Sequence, residues 1–168
     1  GHRISTAVNA GVTGEGGDII VIDDPHNVKQ AESETIRNDT LDWWDTALPS
    51  RLNDPTTGAF VIIMQRVHQS DLTGHILKNE AESFADDLQT DPEAWTHLCV
   101  PAEYERNHPH FFKTTLAGAT YTVDPRKKEG ELLWPDRFTP KALNNLKSSL
   151  GTYGSAGQLQ QRPSPKGG

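Results

Sequence analysis

The chain has 168 residues, a length that fits one domain or a large part of one. Its formal net charge is −7, which argues against nucleic-acid binding through the electrostatic field of the whole protein. Binding through a local strip of basic residues stays possible. A single cysteine, Cys99, excludes an internal disulfide, and no stretch approaches the ~20 apolar residues of a membrane span, so we expect a cytosolic protein without membrane contact.

The first part of the chain predicts strands separated by turns and helices. Residues 3–8 mix Ile, Thr and Val and predict a strand, and residues 11–17 predict a glycine-rich turn. The unbroken aliphatic run DIIVIDD, residues 18–24, is typical of a strand buried on both faces inside a parallel sheet. Ser33 can cap a helix whose first turn carries Glu34.

The helix after Ser33 has an apolar stripe at spacings of three and four, Leu41, Trp44 and Leu48. Residues 59–66, AFVIIMQR, predict a second buried strand, Asp71 can cap a short helix, and residues 95–102 predict a third strand. Alternating strands and helices predict a doubly wound α/β fold with a mainly parallel sheet. The strand ends then share one edge, where open α/β sheets bind ligands.

The remainder, residues 103–168, is predicted to be loop-rich. Thr139 and Pro140 predict a helix start, the stripe Leu143, Leu146 and Leu150 supports that helix, and Gly151 ends it. We therefore divide the chain into a core over residues 1–102 and a smaller subdomain with a connector over residues 103–168. Both ends look cut, so we expect a fragment of a longer protein.

Asp23 and Asp24 follow the first aliphatic strand directly. This pattern matches a Walker B element, in which the first acid holds Mg²⁺ and the second orients the attacking water. Pro25 predicts extended geometry at Asp24. The alternative is that the two acids only cap a loop. The chain has no GxxxxGK[ST] loop, so a nucleotide's phosphates would have no P-loop within it.

Gln65 and Arg66 are the last two residues of the second predicted strand. They lie in the stretch MQRVHQSDL, residues 64–72. At the shared edge, either side chain could sense the terminal phosphate, and arginine could stabilise charge on the transferring phosphoryl group. The alternative is a structural ion pair between Arg66 and Asp23, Asp24 or Asp71.

Other noticeable residues favour structural roles. No histidine lies in a zinc-site pattern, and Cys99 is typical of an inert core thiol. Trp43 and Trp44 on one helix favour core packing over base stacking. The basic run 126–128 favours a solvated loop over a surface that faces DNA, because acidic residues flank it.

Three blocks of the chain resemble the large subunit of tailed-phage and prophage terminases. They are STAVNAGVTGEGGDIIVIDDPHN, then DWW…SRLNDPTTGAFVIIMQRVHQSDLTGHIL, and finally YGSAGQLQQRPSPKGG. The resemblance covers nearly the whole chain and depends most on GGDIIVIDDP and IIMQRVHQSDLTGH, in this order and spacing.

The resemblance implies a partial RecA-like P-loop NTPase fold. Asp23, on Mg²⁺ through water, and Asp24 match the Walker B acids, and Gln65, Arg66 and possibly His68 match the motif that couples ATP hydrolysis to DNA movement. The full protein would be an ATPase joined to a nuclease and would act as a homo-oligomeric ring with double-stranded DNA, the portal protein and the small terminase subunit, in the bacterial host cytoplasm. Its Walker A loop and nuclease are missing here, so the isolated chain is expected to be a poor ATPase or none.

Two other functions stay open from the sequence. In a metal-dependent nuclease, Asp23 and Asp24 would begin a two-metal cluster, which requires further acids at the same edge. In an inactive prophage remnant, the chain would serve as a scaffold or binding module without catalysis.

Overall fold

The computed structural model describes residues 1, 3–8, 14–85, 95–109, 113–116, 119–122 and 124–164, with the backbone alone at 83–85, 113–116 and 119–122. The predicted turn at 11–17 and the end of the connector at 165–168 lie partly or wholly outside these residues. Among the helices in these ranges, none is both long enough and apolar enough to cross a membrane.

The chain forms two compact units. The first contains Gly1–Met64 and Ser70–Leu72, and the second contains Gln65–Gln69 and Thr73–Gly168. The predicted division between residues 102 and 103 stays a prediction. The fold is mixed α/β, as expected.

The first unit contains a two-stranded parallel sheet of β1 (Ile19–Asp23) and β2 (Ala59–Ile63). The register pairs Ile19 with Ala59 and Asp23 with Ile63. The prediction that these two strands run parallel is confirmed, and their carboxyl ends meet at one edge. β2 ends at Ile63, so the predicted strand 59–66 is three residues too long.

One face of this sheet is covered and the other is exposed. Ile22 is buried on the covered face, where Trp44 packs edge-on against Phe60 with ring centroids 5.2 Å apart. On the opposite face, Ile19 is 65% exposed and Val21 is 58% exposed. The prediction that residues 18–24 are buried on both faces is therefore wrong for the described residues, because only one face has a covering layer among them.

Helix α1 (Glu34–Ala47) supplies part of that covering layer. Its start is the predicted one, since Ser33 Oγ accepts a hydrogen bond from the Ile36 N–H at 3.5 Å. Trp44 packs inward as predicted, and Leu48 just after the helix is buried. The helix also buries Arg37, whose Nη1 donates to the Ala31 carbonyl at 2.7 Å.

Two other predicted strands are not formed. Residues 3–8 have no regular structure, and all of them are exposed except Val8, which is half-buried. Residues 95–102 also lack strand structure. Pro101 has no N–H to donate to a ladder, and the Ala102 N–H donates instead to the Leu159 carbonyl at 2.8 Å.

The described part of the second unit contains two α-helices and an antiparallel hairpin. Helix α2 (Leu72–Ala85), whose first residue belongs to the first unit, is longer than the predicted short helix. The sequence did not predict the hairpin of β3 (Lys113–Leu116) and β4 (Ala119–Thr122). Each of these strands is only four residues long, the shortest length at which alternation can indicate a strand.

Helix α3 (Pro140–Gly154) follows the predicted pattern. Thr139 Oγ1 accepts from the Ala142 N–H at 3.3 Å, and Leu143 is buried. Gly151 adopts φ 69°, which interrupts the helical conformation at the residue predicted to end it. One helical turn then continues into a π-helical turn at Ser155–Leu159.

The connector is ordered through the buried side chain of Gln160. Its Oε1 accepts from the Glu103 N–H at 3.0 Å and its Nε2 donates to the Glu103 carbonyl at 3.1 Å, which reproduces the bonding of a neighbouring strand. The Gln160 carbonyl also lies 2.5 Å from His108 Nε2. The stretch GQLQQRP is therefore part of the folded unit.

A buried ion pair organises the loop that carries the basic run. Arg126 Nη2 donates to Asp124 Oδ2 at 2.7 Å and its Nη1 donates to the Glu131 carbonyl at 3.2 Å. Arg126 is 5% exposed, whereas Lys127 and Lys128 are exposed. The prediction of a solvated basic loop is thus wrong for Arg126, because the carboxylate of Asp124 and the loop carbonyls replace its water.

Arg126→Met should lower the free energy of unfolding by about 3–5 kcal/mol, because it leaves the buried Asp124 carboxylate without its cation. Urea unfolding followed by tryptophan fluorescence measures this loss. Lys127→Met, one residue along and exposed, is the matched control and should change stability by less than about 0.5 kcal/mol. Equal losses in the two variants would contradict the role of the buried pair.

The same pair predicts a pH dependence. Burial opposes ionisation of Asp124, but the hydrogen bonds and charge of Arg126 outweigh it and lower the pKa. A lowered folded-state pKa stabilises the protein above the unfolded value, about 3.9, and this contribution disappears as pH falls through the folded pKa. The stability gap between the wild type and Asp124→Asn, measured by urea unfolding at a series of pH values, should therefore narrow below about pH 4. A gap that stays constant would contradict this assignment.

Candidate functional site

The two adjacent acids lie at the carboxyl edge of the parallel sheet. Asp23 is the last residue of β1 and pairs with Ile63, the last residue of β2. The Asp24 N–H extends the ladder by one bond, to the Ile63 carbonyl at 2.9 Å. Both acids are exposed. This is the position at which parallel α/β sheets present ligand-binding groups.

The backbone of Asp24 is in the left-handed region, with φ 42°. The sequence predicted extended geometry because Pro25 follows, and that prediction is wrong. A residue before proline disfavours helical conformations, and a non-glycine residue at positive φ is uncommon, although aspartate tolerates it better than most. Such conformations cost about 1–3 kcal/mol and persist only where the surroundings impose them. The turn at Asp24 is therefore held by its neighbours.

Those neighbours lie on both sides of Asp24. Upstream, the ladder bond to Ile63 fixes its N–H. Downstream, Pro25 and His26 are buried, and His26 Nε2 accepts a hydrogen bond from the Leu72 N–H at 2.8 Å. Sequence reasoning overlooked His26, since its partner lies 46 residues away and no local pattern marks that contact.

The carboxylates of Asp23 and Asp24 suit a hard cation. Mg²⁺ commonly takes one or two carboxylates and completes its octahedron with waters and phosphate oxygens. Within the described residues, no group of three or more His, Cys, Asp and Glu side chains converges on a metal position. Asp23 and Asp24 are therefore the residues at this edge that could hold such a cation.

Gln65 and Arg66, the other predicted site residues, belong to the second unit. Because β2 ends at Ile63, they follow the strand and do not form its tip. Gln65 is exposed, whereas Arg66 is 6% exposed. Their assignment to catalysis or coupling stays a prediction.

The Arg66 backbone is anchored to the connector within the second unit. Its N–H donates to Gln161 Oε1 at 3.2 Å, and its carbonyl lies 2.7 Å from the position that a Cβ would take on Gly157. A side chain at residue 157 would collide with this carbonyl, so only glycine allows the approach. The connector therefore fixes where Arg66 lies in its unit.

Cys99 is buried in the second unit, 4% exposed. Burial raises the pKa of its thiol to about 11, against a smaller opposing effect of the Arg66 charge. The thiol is neutral at physiological pH, and the predicted inert character fits this environment.

Comparisons of the chain with protein-family models, with curated proteins and with solved structures return no match.

Alkylation tests the thiol directly. At about pH 8, iodoacetamide should modify native Cys99 at least about 100-fold more slowly than Cys99 in the urea-unfolded chain. The raised pKa lowers the fraction of reactive thiolate, and burial limits access of the reagent. Mass spectrometry measures the rate. A Cys99→Ser, Ser148→Cys variant carries an exposed thiol on α3 as control and should react equally fast in both states. Equal rates for Cys99 itself would contradict the assignment.

Proposed function

We propose that the chain is the second half of the ATPase in a tailed-phage or prophage terminase large subunit, a motor that packages double-stranded DNA. The observation that carries the proposal is the parallel pairing of β1 and β2, with Asp23 and Asp24 at their common carboxyl edge. A RecA-like ATPase requires this arrangement, and antiparallel strands would have ruled it out. The three sequence blocks support the specific family.

In this proposal, Asp23 holds Mg²⁺ through water and Asp24 accepts a hydrogen bond from the attacking water. The Mg²⁺ ion supplies neutralisation of the negative charge on the β- and γ-phosphates of ATP. Asp23 has strand geometry and Asp24 is at φ 42°, so the two adjacent acids have different backbone conformations, which suits two carboxylates with separate tasks. The stored strain is of the kind that clusters at functional sites.

Gln65 and Arg66 are proposed to couple hydrolysis to DNA movement. The support is their position in sequence just after β2 and the anchoring of the Arg66 backbone by Gln161. Any shift of the segment after β2 would change the geometry of this hydrogen bond. The connector that carries Gln161 is where the family implies a link towards a nuclease domain.

The whole protein is proposed to form a homo-oligomeric ring in the cytoplasm of the bacterial host. This ring would bind the portal protein and the small terminase subunit as partners. The net charge of −7 argues against DNA binding by the general surface of this chain, so DNA contact would be local to the assembled ring. The alternative metal-dependent nuclease is less well supported, because a two-metal site needs more convergent carboxylates than the described residues provide.

Asp24→Asn tests the proposed role of the second acid. In the protein extended upstream of Gly1 to include its phosphate-binding loop, this variant should lose about 10²–10⁴-fold in ATP turnover, because the neutral amide of asparagine polarises the hydrogen-bonded water much less than a carboxylate does. ATP affinity should change little. Asp23→Asn should instead raise the Mg²⁺ concentration required for turnover. A coupled phosphate-release assay and a nucleotide titration measure these effects.

Asp39→Asn, an exposed acid on α1, is the matched control and should keep wild-type turnover. Full turnover in Asp24→Asn would remove Asp24 from catalysis. An extended protein that folds but neither binds nor hydrolyses ATP would instead favour an inactive remnant.

A further inference from the structure

The side chain of His26 joins two segments that are distant in sequence. Its Nε2 lies 2.8 Å from the backbone nitrogen of Leu72, the first residue of α2. His26 is 7% exposed and Leu72 is fully buried. Water therefore has little access to replace this hydrogen bond if it is lost.

The chemistry of the bond fixes the state of the imidazole. A backbone N–H can only donate, so His26 Nε2 must carry its lone pair and the ring must be neutral, with the proton on Nδ1. The Leu72 N–H is one of the four amides at a helix start that have no partner inside the helix. A neutral acceptor suits this end of the helix, where the dipole is positive.

This bond is one of two anchors that bracket Asp24. Upstream, the Asp24 N–H is fixed to the Ile63 carbonyl at 2.9 Å. Downstream, only the rigid Pro25 separates Asp24 from His26. A segment this short between two fixed points has little choice of backbone conformation, and Asp24 is found at φ 42°. The left-handed turn is thus imposed from both sides.

We propose that His26 is a positioning residue for Asp24: its hydrogen bond from the Leu72 N–H holds the Asp24–Pro25 turn in the conformation that aims the Asp24 carboxylate. The inference rests on the proposed role of Asp24 in orienting water. Removing the acceptor lets the turn relax towards extended geometry, which moves the carboxylate away from the attacking water while leaving phosphate binding unaltered.

Two substitutions separate positioning from packing. His26→Leu keeps an apolar side chain of comparable size but removes the acceptor, whereas the Oε1 of His26→Gln can reach the Leu72 N–H from a place close to that of Nε2. In the extended protein, His26→Leu should lower kcat for ATP by up to about 100-fold with KM nearly unchanged, and His26→Gln should recover most of that loss. His75→Leu, on α2, is the control for loss of a histidine and should keep kcat.

Two NMR measurements test the bond itself in the chain as it stands. The nitrogen shifts of His26 should show Nε2 unprotonated, and the Leu72 amide should exchange with solvent at least about tenfold faster in His26→Leu than in the wild type or His26→Gln. A proton on Nε2 in the wild type would overturn the proposal. So would a His26→Gln variant in which the Leu72 amide stays protected while kcat falls as far as in His26→Leu.

The two proposals fail in different ways. If Asp24→Asn abolishes turnover and a folded His26→Leu keeps wild-type kcat, His26 has no positioning role and the proposed function stands. If Asp24→Asn keeps full turnover, the catalytic role of Asp24 is wrong, and the positioning proposal that rests on it falls as well.

Discussion

The parallel pairing of β1 with β2 is the constraint on which the candidate site depends. It puts the last residue of β1, Asp23, opposite the last residue of β2, Ile63, and so brings the acids to an edge where the sheet ends. It also provides the Ile63 carbonyl that fixes the Asp24 N–H. With a one-residue slip in register, Asp23 would move to the covered face of the sheet, and its carboxylate would be withdrawn from solvent.

The turn after β1 converts this pairing into a specific geometry. Asp24 is held at positive φ between the sheet and the buried Pro25–His26 pair, and His26 is held in turn by the start of α2. Each contact is modest, since a hydrogen bond contributes about 0.5–1.5 kcal/mol. Together they offset the backbone strain of Asp24, about 1–3 kcal/mol, which is more than one such bond reliably offsets. The backbone of Asp24 is therefore held in one conformation by the fold, as its proposed role in orienting water requires.

Sequence periodicity and caps predicted the elements that a local sequence pattern marks. The two parallel strands, the Ser33 cap of α1, and the Thr139 start and Gly151 interruption of α3 all appear where local patterns indicated. Two of the failures involve partners distant in the chain, and the third is a burial that the local charge pattern does not reveal. Residues 95–102 have the composition of a strand, yet the backbone of Ala102 bonds to Leu159. Arg126 lies in a basic run, but its side chain is buried in an ion pair with Asp124. Asp24 is left-handed although Pro25 favours extended geometry at that residue. The hydrogen bond between His26 and Leu72, which are 46 residues apart, helps to hold it there. Of the candidate site, the acid pair and its edge were predictable, whereas the direction of Asp24 and the anchoring of Arg66 were not.

Paramagnetic relaxation by Mn²⁺·ATP tests the central claim most directly, since the metal broadens nearby amides steeply with distance. In the isotope-labelled protein extended upstream of Gly1, the strongest broadening among residues of this chain should fall on the amides of Asp23 and Asp24 and on the end of β2 at Ile63. Asp23→Asn should weaken that broadening. Broadening centred elsewhere, with the edge of β1 and β2 unaffected while ATP is bound, would contradict the account.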